Sequence, residues 1–126
     1  MKYDPEKEPD AVAWLSMDED VRISLAEEYH RVHGITAPNV IAHAAFHCMV
    51  ENQIAEGLEA VVRATQRLQE EGLSRHEAIH AVGSIAAELM YEMMKSRNPA
   101  TGFSQERYVA AIAKLTAASW RQTPRL

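Results

Sequence analysis

Six histidines in the chain form three pairs, and imidazole nitrogens are both frequent metal ligands and proton carriers. The pairs are His30 with His33, His43 with His47, and His76 with His80. Residues three or four positions apart lie on one face of a helix, so each pair can direct two imidazoles to the same place. This spacing indicates either metal binding or hydrogen bonding among the histidines.

The second and third pairs form the strongest candidate site. A helix predicted over 39–56 carries His43, His47 and Glu51 within an arc of about 80°. A helix predicted over 74–95 carries His76 and His80 at the edge of its apolar stripe, followed by the small residue Gly83. If these two helices pack with their histidines facing, four imidazoles and one carboxylate converge. Such a set suits one divalent ion of Zn, Ni, Mn or Fe.

We therefore predict one site between the two helices, made of metal ligands and of residues that support them. The predicted metal ligands are His43, His47, Glu51, His76 and His80. The residues predicted to support these ligands are Arg75, Glu77 and Gln53. His30 and His33 are expected to lie outside the site, because histidine is common near helix C-termini for electrostatic reasons.

A metal-free arrangement of the same residues is the main alternative. Buried polar side chains nearly always find hydrogen-bond partners, and histidines can serve one another in this way. Arg75 lies in the first turn of a predicted helix, where a cation is disfavoured, so it needs a carboxylate partner such as Glu51. That pairing would compete with a metal for Glu51. The protein would then be a non-enzymatic structural or interaction module.

The segment from His76 to His80 also matches the HExxH motif of zinc peptidases. In those enzymes the two histidines bind zinc and the glutamate activates water. Here Glu77 is already explained as a member of a capping box begun by Ser74, and it points about 100° away from His76. No strand is predicted that could hold an extended peptide. We therefore expect no peptidase activity.

The composition predicts one all-α domain. The chain has 126 residues, 47% of them hydrophobic, with 20 alanines and only 6% aromatic residues, a balance that favours closely packed helices. Helical periodicity predicts an up-and-down bundle of about five helices, over 17–32, 39–56, 58–72, 74–95 and 104–121. Ser16, Ser74 and Ser104 are the predicted caps of three of them. Residues 1–9 are expected to form a flexible arm, 10–121 the domain and 122–126 a free tail.

Charge, apolar runs and cysteine content indicate which kinds of partner and which cellular compartment to expect. The net charge of -5 excludes the basic surface that nucleic acid binding requires, and the apolar runs are too short to cross a membrane. The charged start of the chain is unlike a signal peptide, and the single Cys48 fits a reducing cytoplasm. The helix over 39–56 is apolar on nearly every side, so we expect self-association as a homodimer.

Three groups of residues, spread over most of the length of the chain, carry a family resemblance. They are Trp14-Leu15 with Tyr29-His30-Arg31, HAAFHCMVENQ over 43–53, and GLSRHEAIHAVGS over 72–84. On these segments the chain resembles the bacterial domain-of-unknown-function 1841 family. The resemblance implies a small helical protein and carries no enzymatic role. The polar residues typical of that family fall here at His43, His47, Glu51, Asn52, Gln53, Arg75, His76 and His80.

Overall fold

Helices account for most of the structure, a computed structural model that describes residues 2–34, 40–96 and 103–122. Seven helices lie within these residues: α1 (Ala11–Ser16), α2 (Glu19–Val32), α3 (Val40–Ala55), α4 (Glu59–Glu70), α5 (Arg75–Lys95), α6 (Gln105–Lys114) and α7 (Ala117–Gln122). The same residues contain no strand. The predicted all-α fold class is therefore confirmed.

Local sequence signals fix several helix ends. The side chain of Ser74 accepts a hydrogen bond from the backbone N–H of Glu77 at 3.1 Å, and Ser104 caps α6 in the same way. Gly57 and Gly72 follow α3 and α4 with φ angles of 76° and 106°, in the left-handed region where side chains are disfavoured. The predicted serine caps and glycine stops at these positions are confirmed.

The start of α2 corrects one prediction, because Ser16 does not cap that helix. Ser16 is the last residue of α1, and its hydroxyl donates to the carbonyl of Ala13. The side chain of Asp10 starts α1 by accepting from the backbone N–H of Ala13 at 2.9 Å. Asp18 then precedes α2. The capping-box prediction was wrong because Asp10 begins a separate short helix that includes Ser16.

The predicted C-terminal helix is also divided, into α6 and α7. Thr116 lies at the break, where its hydroxyl oxygen accepts from the backbone N–H of Ser119 at 3.0 Å. Its own N–H donates to the hydroxyl of Ser119 at 3.1 Å. This reciprocal pair ends one helix and begins the next. The bundle described by the structure thus has five longer helices and two short ones.

The centre of the bundle is α3, which contacts α1, α2, α4 and α5. Gly83 of α5 allows a close approach to this helix, since a Cβ atom there would lie 3.6 Å from the carbonyl oxygen of Phe46. The predicted packing of these two helices at the glycine is confirmed. Ile41 at the start of α3 is 65% exposed. Self-association stays a prediction.

The helices enclose two regions of different character. The region here called the apolar half lies between α3, α4, α5, α6 and α7, and its core includes Val61, Leu68, Ile79, Val82, Tyr108 and Ile112. The region here called the polar half lies between residues 2–10, α2, α3 and the first turns of α5. A smaller apolar group made of Tyr3, Trp14, Ala26, Ala44 and Cys48 borders it.

Residues 2–10 contain no helix, yet Tyr3 and Pro5 of this predicted flexible arm are buried. Trp14 of α1 is also buried and donates to the side chain of Asn52 at 2.8 Å. Residues 35–39, with the predicted helix start at Asn39, residues 97–102 and residues 123–126 of the predicted tail lie outside the described residues. Gln122, the first residue of the predicted tail, is the last residue of α7. Among the described helices, none has the length and apolar character needed to cross a membrane.

Candidate metal centre

Five imidazoles meet in the polar half and are here called the histidine cluster. His30 comes from the last turns of α2, His43 and His47 from one face of α3, and His76 and His80 from the first turns of α5. The α3 and α5 histidines face each other because the helices pack in register, with His43 beside His80 and His47 beside His76. The predicted convergence of these four histidines is confirmed. The expectation that His30 lies outside the site was wrong, because α2 packs against α3 and brings His30 into the cluster.

Four members of the cluster have the geometry of a ligand set. Ligand atoms of His30, His47, His76 and His80 all lie within 4.8 Å of one another. The Nε2 atom of His80 lies 2.9 Å from Nε2 of His76 and 3.3 Å from Nε2 of His30. A tetrahedral zinc ion with Zn–N bonds of about 2.0–2.1 Å holds its nitrogens about 3.3 Å apart. The imidazoles are therefore already at distances suitable for one ion.

The surroundings of His80 make hydrogen bonds an incomplete explanation of the cluster. Its Nε2 atom also lies 3.0 Å from Nε2 of His43, so three imidazole nitrogens surround one nitrogen. In a neutral imidazole each nitrogen offers either one N–H or one lone pair. One such nitrogen cannot satisfy three neighbours, whereas a metal ion accepts several lone pairs at once.

His47 supplies a second observation that fits a metal. This residue is only 1% exposed, and its Nε2 atom lies 2.6 Å from the hydroxyl of Tyr3. Its other ring nitrogen, Nδ1, is buried without a hydrogen-bond partner among the described residues. Buried polar atoms are rarely left unpaired, because each costs about 1–3 kcal/mol. A bound metal ion would satisfy this nitrogen.

Burial keeps several of these imidazoles neutral, the form that binds metals. Burial and the neighbouring histidines place the pKa of His47 well below its ordinary value of 6.5. Burial, with a smaller effect of His30, lowers the pKa of His76 to about 4. The pKa of His43 is lowered by burial and by His30. Lone pairs are thus available at neutral pH.

A hydrogen bond to the backbone orients His30. Its Nδ1 atom lies 2.6 Å from the carbonyl oxygen of Ala26, and since a carbonyl only accepts, Nδ1 carries the proton. The lone pair is then on Nε2, the atom that faces His80. Metal-binding histidines are commonly oriented by such a bond from the second nitrogen.

Glu51 was predicted to be a ligand, and the structure places it in an ion pair with Arg75. Two guanidinium nitrogens of Arg75 lie 2.8 Å from the two carboxylate oxygens. Glu51 is 1% exposed, and it also accepts a hydrogen bond from the hydroxyl of Tyr3. The predicted pairing of Arg75 with Glu51 is confirmed, and it holds the carboxylate away from the four-histidine set.

Gln53 and Glu77, the other residues predicted to support the ligands, form hydrogen bonds away from the imidazoles. Gln53 accepts a hydrogen bond from the hydroxyl of Tyr108 at 2.7 Å, which ties α3 to α6 on the apolar side. The backbone N–H of Glu77 is capped by Ser74, as the capping box predicts. His33 is exposed and stacks on the ring of Tyr29 with centroids 4.0 Å apart. The two histidines of the HExxH motif, His76 and His80, belong to the histidine cluster.

Residues 3–6 join the polar half through contacts that local sequence does not signal. The carboxylate of Glu6 accepts from the backbone N–H of His76 at 2.8 Å, at the start of α5. Arg75 donates to the carbonyl of Pro5 at 2.9 Å. The N-terminal segment is thereby fixed to α5 directly beside the histidine cluster.

No family model, curated protein or solved structure matches the chain. Membership of the family that the sequence resembles therefore stays a proposal.

Proposed function

We propose that this protein binds one divalent transition metal ion through His30, His47, His76 and His80. The observation that carries the proposal is the approach of these four ligand atoms to within 4.8 Å of one another in a largely buried place. Two further observations support it independently: Nδ1 of His47 has no hydrogen-bond partner in the described ranges, and three imidazole nitrogens surround Nε2 of His80.

The donor set favours Zn, Ni or Fe over Mn. Imidazole nitrogen suits the first three ions, whereas Mn prefers carboxylate and water oxygens. The nearest buried carboxylate, that of Glu51, is engaged by Arg75 through both oxygens. The ion would therefore be held by nitrogen ligands.

Four imidazoles also favour a closed site over a catalytic one. Catalytic zinc sites usually have three protein ligands and keep one position open for water or substrate, whereas structural sites fill all four positions. An ion held by these histidines would join α2, α3 and α5. We therefore propose a metal-binding role that stabilises the bundle, and hydrolysis through HExxH has less support.

A metal-free polar network is the second candidate, and a specific observation favours it. Tyr3, Glu51 and Arg75 form a buried hydrogen-bonded group without any metal, and the imidazoles lie within hydrogen-bonding distance of one another. In that case the protein would be a structural or interaction module.

Metal analysis of untagged protein decides between the two candidates. We expect up to about one metal ion per chain by mass spectrometry, and a lower melting temperature after chelation, because an ion that binds only the folded state stabilises it. His47→Ala or His80→Ala should abolish the effect of the chelator. His33→Ala is the matched control, since this histidine is exposed and should leave the effect unchanged.

The metal-free candidate predicts a different result. Protein that has been stripped of metal would then melt at the same temperature with and without added Zn, Ni, Mn or Fe. That result would contradict the proposed metal site and leave the polar network as the role of these residues.

A further inference from the structure

The hydroxyl of Tyr3 connects the Arg75–Glu51 ion pair to His47. It lies 2.6 Å from Nε2 of His47 and also forms a hydrogen bond with a carboxylate oxygen of Glu51. All three side chains are buried, with Tyr3 7% exposed and the other two 1% exposed. A hydroxyl with a single proton therefore serves two polar neighbours, shielded from water.

Counting donors and acceptors along this chain assigns each proton. Arg75 donates to both oxygens of Glu51 at 2.8 Å, and a carboxylate paired in this way accepts hydrogen bonds. Tyr3 must then donate its proton to Glu51. Only a lone pair of the hydroxyl is left for His47, so Nε2 of His47 carries a proton and donates it to Tyr3.

A neutral imidazole with its proton on Nε2 has its lone pair on Nδ1. In His47 this Nδ1 is buried and has no hydrogen-bond partner within the described part of the chain. We infer that Tyr3 is a positioning residue that holds His47 in the Nε2–H form, so that His47 binds the metal through Nδ1. The inference concerns the proposed metal site and rests on it for the binding step.

His30 shows the opposite arrangement. Its Nδ1 donates to the carbonyl of Ala26 at 2.6 Å, so Nε2 is the nitrogen with the lone pair. The two fully buried histidines of the cluster are therefore fixed by different partners, one by backbone and one by Tyr3. On this assignment His30 would bind the ion through Nε2 and His47 through Nδ1.

Nuclear magnetic resonance of protein labelled with ¹⁵N in histidine tests the assignment, because long-range ¹H–¹⁵N correlations distinguish the two neutral forms and identify the nitrogen bound to zinc. We expect the Nε2–H form of His47 in the metal-free protein. Addition of zinc should shift the Nδ1 signal of His47 and leave its Nε2 protonated. For His30 we expect zinc at Nε2.

Tyr3→Phe removes the hydroxyl and retains most of the buried ring. We expect His47 to lose its single protonation form and zinc affinity to fall about 10- to 100-fold, as when other partners of metal-bound histidines are removed. Tyr108→Phe is the matched control, because it also removes a buried hydroxyl, one that bonds Gln53 at 2.7 Å in the apolar half. Its zinc affinity should equal that of the wild type.

Three outcomes would overturn the inference: a proton on Nδ1 of His47 in the metal-free protein, zinc bound at Nε2 of His47, or wild-type zinc affinity in folded Tyr3→Phe. Failure of the proposed function looks different. Wild-type protein would then bind no zinc, and the metal-free spectrum would still decide which nitrogen of His47 carries the proton.

Discussion

The two sides of α5 show how differently the two halves of the molecule are built. On one side, Ile79 and Val82 are fully buried in the apolar half against α4 and α6. On the other side, His76 and His80 meet the imidazoles of α2 and α3 in the polar half. Because of the helical period, the same turns of α5 carry an apolar face on one side and two histidines on the other.

The two halves bury different kinds of polar side chain, namely imidazoles and a carboxylate in the polar half and hydroxyl groups in the apolar half. In the apolar half, the hydroxyl of Thr65 donates to the carbonyl of Val61 at 3.0 Å, and that of Tyr108 donates to Gln53. In the polar half, Nδ1 of His47 has no hydrogen-bond partner among the residues that the structure describes. A buried atom of this kind costs stability, which agrees with the metal ligand that we propose. The apolar half is a packed core, and the polar half contains the histidine cluster.

Acidification should have the largest effect, and the imidazoles of the polar half should be its main source. The pKa values of His43, His47 and His76 lie below 6.5 in the folded protein, so the folded state binds fewer protons than the unfolded chain. The stabilisation that these neutral imidazoles contribute is therefore fully present above about pH 6.5. The free energy of unfolding then falls as the pH drops towards the pKa values of the folded state, about 4 for His76.

Urea unfolding across this pH range measures the effect. His76→Gln should weaken the dependence on pH, while Leu68→Ala in the apolar half should lower the whole curve without changing its shape. A wild-type free energy of unfolding that stays constant between neutral pH and about pH 4 would contradict the neutral, buried state of these imidazoles.

Arg75→Met should be the most destabilising single substitution in the polar half. It leaves the carboxylate of Glu51, which is 1% exposed, without its guanidinium partner. Breaking a buried ion pair costs about 3–5 kcal/mol of unfolding free energy. Chemical denaturation gives this value. The double variant with Glu51→Gln should recover much of the loss, and no recovery would mean that the cost does not come from the unpaired charge.

Leu68→Ala should weaken the apolar half without changing the site. Leu68 is fully buried in α4, and truncation of such a side chain costs about 2–5 kcal/mol. We expect this loss in chemical denaturation together with unchanged metal content per folded chain. Loss of metal from the folded variant would show that the two halves are not separable.

Zinc should give the smallest of these effects, a gain in stability. At a free zinc concentration of about 100 times Kd, binding to the folded state adds about 2.7 kcal/mol to the free energy of unfolding. Calorimetry of metal-free protein with and without zinc measures the gain. His33→Ala should retain it and His47→Ala should lose it, and equal gains in both variants would place the zinc elsewhere.

The sequence predicts those parts of the site that depend on local periodicity. His43 and His47 share a face of one helix, His76 and His80 share a face of another, and Gly83 marks where the helices approach each other. These features follow from the helical repeat, so the meeting of α3 and α5 could be predicted. The pairing of Arg75 with Glu51 could also be predicted, because a cation at a helix N-terminus needs a partner.

The parts that depend on tertiary packing could not be predicted. The spacing of His30 and His33 does not distinguish a buried histidine from an exposed one. Only the packing of α2 against α3 brings His30 into the cluster. Tyr3 is separated from His47 by 44 residues, and no helix or local motif contains it. Polar residues before the first helix look like a flexible arm when their partners lie so far along the chain.

This separation also sets when the site can form during synthesis. Contacts such as Glu6 with His76 and Pro5 with Arg75 join residues 70 positions apart. Because the N-terminal part of a chain leaves the ribosome first, α2 and α3 emerge while His76 and His80 are still to be added. The nascent chain therefore carries three of the five clustered histidines without their partners. Under the proposed function, metal binding would begin only after the first turns of α5 have emerged.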